Sequence, residues 1–188
     1  MKLHLARIAF GILVVSSLFT ACKKDDPEEN EEEVITTMKL TFAPVGGAGT
    51  TVTYQSRDLD GNGGTNPVTD EIILAPSTTY NVNVQLLNEI ESPAEDITIE
   101  VESEADAHRF YYQPSGGSNI TVSGLNNDPN GIPLGITSTW STGAVANGTI
   151  AVTLRHYGGN PPGKAAADPV DSPKSSTDIT VTFNTKIQ

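Results

Sequence analysis

From about residue 34 onward, apolar and polar side chains alternate with a period of two. In "TYNVNVQLL", Tyr80, Val82, Val84 and Leu86 share one face, while Asn81, Asn83 and Gln85 share the other. "GTIAVTLRH" sets Ile150, Val152 and Leu154 against Ala151, Thr153 and Arg155. "DITVTFNTKI" sets Ile179, Val181, Phe183 and Ile187 against Thr180, Thr182, Asn184 and Lys186. Shorter alternations involve Met38, Leu40 and Phe42, then Val52 and Tyr54, Phe110 and Tyr112, and Ile120 and Val122. Successive side chains of a strand point to opposite faces, so this pattern predicts half-buried strands with one wet face. Clusters of Gly, Asn and Pro separate them and predict turns, the glycine-rich "PVGGAGTT" included. About eight or nine such strands predict an all-β fold over residues 34–188, an antiparallel β-sandwich of immunoglobulin-like type.

Two segments depart from the alternation. "SPAEDITIEVESEADAHRF" offers Ser92 as a helix N-cap, Pro93 at the first helical position and Glu95 as the capping-box acid, which predicts one short helix. Against it, Ile97, Ile99 and Val101 alternate as a strand would. The second segment, 157–178, has no periodicity and is rich in Gly, Pro, Ser and Asp, so it reads as a disordered loop.

The start of the chain follows another pattern. A basic head containing Lys2 and Arg7 precedes a mostly apolar run from Ile8 to Phe19, and small residues lead to Cys22. That is the anatomy of a secretory signal over residues 1–21. The run is too short for a permanent span, which takes about 20 apolar residues. "FTAC", with Thr20 and Ala21 before the cysteine, resembles the lipobox of bacterial lipoproteins. The resemblance implies cleavage after Ala21 and acylation of Cys22, hence membrane attachment through a lipid anchor. With a single cysteine, no intramolecular disulfide can form. "KKDDPEENEEE" has no apolar side chain to bury and repels itself, so residues 22–33 are expected to form an extended acidic tether. Lys23, Lys24, Asp25 and Asp26 after the cysteine resemble the export signal of Bacteroidetes surface lipoproteins. That implies display on the outer face of the outer membrane, with the periplasmic face as the alternative.

Charge narrows the partners. The whole chain carries −12. Binding nucleic acid through counterion release needs clustered Lys and Arg, so nucleic acid is not an expected partner. Acidity instead admits divalent cations. In "RDLDGNGGTNP", Asp58, Asp60, Asn62 and Gly63 follow the order of calcium loops, in which side-chain oxygens converge and glycine allows the sharp turn. The twelfth position is Thr69 instead of a bidentate glutamate, so the match is to a calcium loop between strands and not to an EF-hand. "LNNDPNGIPLG" echoes it with Asn126, Asp128 and Asn130. Both stretches also read as hairpin turns, for which Asp-Gly and Asn-Gly are preferred.

Catalytic signatures are missing from the sequence: there is no G-x-S-x-G elbow, no H-E-x-x-H and no thiol in the domain. Glu100 with Glu102 or Glu104 could form a glycosidase-like carboxylate pair, but acidic residues on an exposed face usually serve solvation. Trp140 is the candidate sugar-stacking platform, with burial in the core as the alternative. His108 shares a face with Phe110 and Tyr112, and His156 continues the face of Ile150, Val152 and Leu154. Both read as histidines at the edge of the core, and a metal site there would need a third ligand to converge on them.

The succession "EEEVITT", "RDLDGNGG", "TTYNVNVQLLNE", "EDITIEVESEADAHRFYYQ", "AVTLRH" and "DITVTFNTKIQ" resembles a group of small flavobacterial-type lipoproteins. It spans about Glu31 to Gln188, and the group has no settled activity. Some of its members carry a type 1 periplasmic-binding label, yet the alternating strands and helices of that fold are not visible in this chain. The expectation is therefore a surface-exposed lipoprotein acting as a non-enzymatic binding or interaction module, with calcium as the candidate cofactor and an unknown protein or glycan as partner. The alternatives are a solute- or glycan-binding accessory protein of an outer-membrane uptake system, and a hydrolase.

Overall fold

A computed structural model describes residues 33–47, 49–61 and 64–188. The signal, Cys22 and nearly all of the acidic tether lie outside these residues, as do Asn62 and Gly63. Eleven strands and one helix are described. They are β1 (Thr37–Pro44), β2 (Val52–Arg57), β3 (Val68–Thr69), β4 (Ile72–Leu74), β5 (Thr79–Asn88), β6 (Glu95–Asp96), α1 (Thr98–Ser103), β7 (His108–Pro114), β8 (Ile120–Ser123), β9 (Thr137–Thr142), β10 (Ala146–Tyr157) and β11 (Ser175–Ile187). The alternating segments are strands, and the fold is an all-β sandwich of two packed sheets.

The larger sheet runs β3-β2-β1-β5-β9-β8, with β6 also paired to β5. The smaller runs β4-β11-β10-β7. All pairings are antiparallel except one: β4 lies parallel to β11, through Ile72 to Leu74 against Thr185 to Ile187. Met38, Leu40 and Phe42 of β1, and Val82, Val84 and Leu86 of β5, face Ile150, Val152 and Leu154 of β10 and Phe183 of β11. All of these are buried. Burial of one such side chain contributes about 1.5–3 kcal/mol.

Aromatic rings join the layers. Phe42 meets Trp140 edge-on at 5.1 Å, and Trp140 in turn meets Tyr112 of the smaller sheet at 5.6 Å. Trp140 is fully buried, and its Nε1 donates to Ser138 Oγ. It belongs to the core and offers no sugar platform. The Tyr54 hydroxyl of β2 donates to the Ile73 carbonyl at 2.6 Å, fastening β4 to the larger sheet.

The disputed segment contains both elements. Glu95 and Asp96 pair with Asn88 and Leu87 of β5, and the helix begins only at Thr98, with Ile97 as N-cap. The expected cap at Ser92 therefore gives way to strand pairing. Ile97 and Val101, four residues apart, are buried, whereas Ile99 is 67% exposed, as helical spacing requires. Thr98 docks the helix: its hydroxyl oxygen accepts the Leu86 N–H at 2.8 Å.

The loop 157–178 is held rather than disordered. Arg109 Nη1 donates to the carbonyls of Ala165 and Ala166, and the Tyr111 hydroxyl donates to that of Asp168. Arg155 Nη2 reaches the Ser172 carbonyl at 3.1 Å. Cations and a phenol on the outer face of β7 and β10 thus add donors to the loop's carbonyls, beyond its own turn bonds from the Asp168 N–H to Ala165 and from the Ser175 N–H to Ser172.

Candidate functional site

β11 has thirteen residues, but β4 pairs with only its last three described partners, Thr185 to Ile187. Along 177–182, β11 is paired with β10 on one side, and its other edge opens on a cleft of about 630 Å³. Six consecutive residues, 177 to 182, form one wall. The opposite wall is Ile35, Thr36, Ser56, Pro67 and Thr69, beside β2 and β3. Consecutive residues can line a cleft from both faces of a strand when it is met along its edge. The Gln188 N–H donates to the Leu74 carbonyl, which gives the direction of the β4-side hydrogen bonds. The two-residue period of a strand carries that direction back to Thr182 and Thr180. Their N–H groups point into the cleft.

At the inner end of this edge the strand bulges. Leu154 pairs with Ile179 and Arg155 with Thr177, leaving Asp178 as the extra residue. A bulge turns two successive side chains toward one face. Asp178 is thereby carried inward, its side chain 3% exposed, to 3.9 Å from His108 Nε2. Glu33 approaches the same nitrogen at 3.3 Å from its place just ahead of β1. His108, the first residue of β7, is fully buried, and its ring lies 4.5 Å from that of His156, its partner across the β7–β10 ladder. The other ring nitrogen, Nδ1, lies 3.1 Å from the Glu104 carbonyl. Burial pushes the His108 imidazole down, but the Glu33 carboxylate beside it, the Asp178 charge and the Glu104 carbonyl outweigh this and leave it raised. Burial and the neighbouring His108 lower His156.

The histidines thus converge, as sequence alone could not reveal: Glu104 completes a group with both of them, and Glu33 and Asp178 complete a second group with His108 alone. Glu33 was assigned to the tether, and Asp178 is brought in by a bulge that leaves no mark in the alternation. Glu100, Glu102 and Glu104 are all exposed, and of the three only Glu104 brings its carboxylate to the histidines, within 4.8 Å of His108 and His156.

The two candidate calcium loops are built as turns. Asp58 Oδ1 accepts the Gly61 N–H at 2.9 Å, and Asp60 Oδ2 accepts both the N–H and the hydroxyl of Thr65. These donors hold the Asp60 carboxyl below the usual carboxylate range. In the second loop Asn126 Oδ1 accepts the Thr137 N–H, and Asp128 Oδ1 accepts those of Asn130 and Ile132. Gly131, at φ +79°, closes the turn with its N–H on the Asp128 carbonyl. The remaining Asp128 oxygen meets Lys164 Nζ at 2.8 Å, both side chains being buried. Lys164 also donates to the carbonyls of Ala105 and His108, so all three ammonium donors have acceptors. Calcium at either loop is testable by melting. With the carboxylates closing their own turns, adding excess calcium to EDTA-treated protein is expected to leave the midpoint unmoved; a rise would establish a structural ion.

Among the described residues no helix is long and apolar enough to cross a membrane. The chain matches no family model, no curated protein and no solved structure.

Proposed function

We propose that this chain is a lipid-anchored, surface-displayed binding module without catalytic activity, and that it captures an extended segment of a partner protein along the open edge of β11. One observation carries the reading: a stretch of β11 with strand pairing on one side only, lining a cleft of about 630 Å³. Unpaired main-chain groups at a sheet edge template the addition of another strand, and side-chain pockets beside the edge then select its sequence. The cleft wall is rich in Thr and Ser hydroxyls, which suits a polar, extended peptide. The carboxylates there favour binding over hydrolysis, since Asp58 closes its own turn and Asp178 is turned toward His108. A glycan-binding role finds its support on the outer face of the larger sheet, where Thr41, Asn81, Asn83, Thr137 and Thr139 line a shallow depression of about 330 Å³.

The two surfaces are separable by substitution. Proline at an edge position removes one inward-pointing N–H without disturbing the β10 ladder. In cells carrying the acylated protein with a photocrosslinker at Thr180, a single extended segment of one partner is expected in the adduct. Thr182→Pro should reduce that adduct at least tenfold, and Thr139→Arg on the outer face should leave it intact. An adduct insensitive to Thr182→Pro but lost with Thr139→Arg would move the binding surface to the outer face.

A further inference from the structure

His108 Nε2 is fully buried, faces two carboxylates, and has no hydrogen-bond partner; neither has Glu33 Oε2. The 3.3 Å separation from Glu33 exceeds the roughly 2.7–2.9 Å of a charge-assisted N–H···O bond. It matches instead the edge of a coordination tetrahedron. Ligands at about 2.0–2.2 Å from one ion stand roughly 3.3–3.6 Å apart. The ligand atoms of Glu33, His108 and Asp178 all lie within 4.8 Å of one another. The rest of the imidazole is set as in metal-bound histidines, whose second nitrogen donates to a carbonyl or carboxylate and so fixes the tautomer. Here Nδ1 meets the Glu104 carbonyl, so that the ring in its neutral form directs the Nε2 lone pair at the carboxylates. A lone pair facing carboxylate oxygens in a buried site is repulsive, and a cation between them removes the repulsion.

We propose that Glu33, His108 and Asp178 bind a divalent transition metal, with zinc as the representative ion. One imidazole and two carboxylates are a borderline ligand set, and three protein ligands leave a fourth position open. Asp178 also stands in the wall of the cleft beside β11, which gives the ion a route from solvent. Because Glu33 is the last residue of the acidic run, a bound ion would also fasten the end of that run to the start of β7 and the bulge of β11.

The test uses the full chain, stripped with EDTA and titrated with zinc chloride. One ion per chain is expected to bind and to raise the melting midpoint. Cobalt(II) should give the visible ligand-field bands of a four-coordinate site. Glu33→Gln and Asp178→Asn, which keep size and shape, should each weaken binding at least tenfold and reduce the cobalt bands. Both variants keep every other acid of the acidic run, so binding that persists unchanged in them would place the metal there and overturn the proposal. Should one variant fail to fold, the other and the wild-type cobalt spectrum still decide. Wild-type protein that shows neither one-to-one binding nor ligand-field bands would leave the cluster as a buried imidazolium between two carboxylates, and the metal site would be discarded.

Discussion

Replacing Lys164 by methionine is expected to lower the unfolding free energy at pH 7 by about 3–5 kcal/mol, the usual cost of stranding one member of a buried ion pair. The change leaves one Asp128 oxygen and the carbonyls of Ala105 and His108 without their shared donor. It also frees the loop 157–178 from the turn that follows α1. A domain of this size is stable by roughly 5–15 kcal/mol, so the variant should approach the threshold of folding. Adding Asp128→Asn removes the stranded charge while keeping the oxygen that accepts the Asn130 and Ile132 amides. The double variant should therefore recover part of the loss, with a coupling energy above about 1 kcal/mol in the thermodynamic cycle.

The sign of the pH dependence follows from Asp128. Burial pushes its carboxyl up, but Lys164 and the Ile132 and Asn130 amides outweigh this and hold it below the usual carboxylate range. A depressed carboxyl contributes stability above its unfolded value of about 3.9, and that contribution is lost as pH falls through the folded value. In the methionine variant, acid also neutralises the stranded charge. The gap between wild type and variant should thus be wide at pH 7 and narrow at pH 3 in denaturant titrations. Equal gaps at both values would mean that packing of the lysine stem, and not the ion pair, sets the cost.

The second large effect lies at the other end of the chain. If Cys22 is acylated as its setting implies, Cys22→Ser should move the protein almost entirely from the membrane fraction to the soluble one. Each buried methylene of an acyl chain contributes about 0.8 kcal/mol, so two or more chains attach a protein firmly and their loss releases it. Fractionation with mass spectrometry of the amino terminus reads both parts. A serine variant that still sediments with membranes would overturn the anchor, and surface display with it.

Strands were legible because their signal is local. Tyr80, Val82, Val84 and Leu86 had to share a face whatever they packed against, and they do. Trp140 and the turns at Asp58 and Asn130 were legible as alternatives, since each local pattern admits two outcomes that only the surroundings separate. The helix was half legible: its existence followed from composition, but its start did not, because pairing with β5 claims Glu95 and Asp96. The candidate site was hidden for a different reason. Asp178 turns inward through a register slip defined only against Leu154 and Arg155, and Glu33 meets His108 across 75 residues of chain. Lys164, within a stretch of Ala, Gly and Pro, gave no hint that its ammonium would be buried against an aspartate 36 positions away.

The position of β1 has a mechanical consequence. It is flanked from Thr37 to Phe42 by β2 on one side and β5 on the other. A pull arriving from the N-terminal side therefore strains both ladders together, sliding the strand along its axis instead of peeling hydrogen bonds away one after another. Rupture of a body pulled at that end requires many bonds to fail at once.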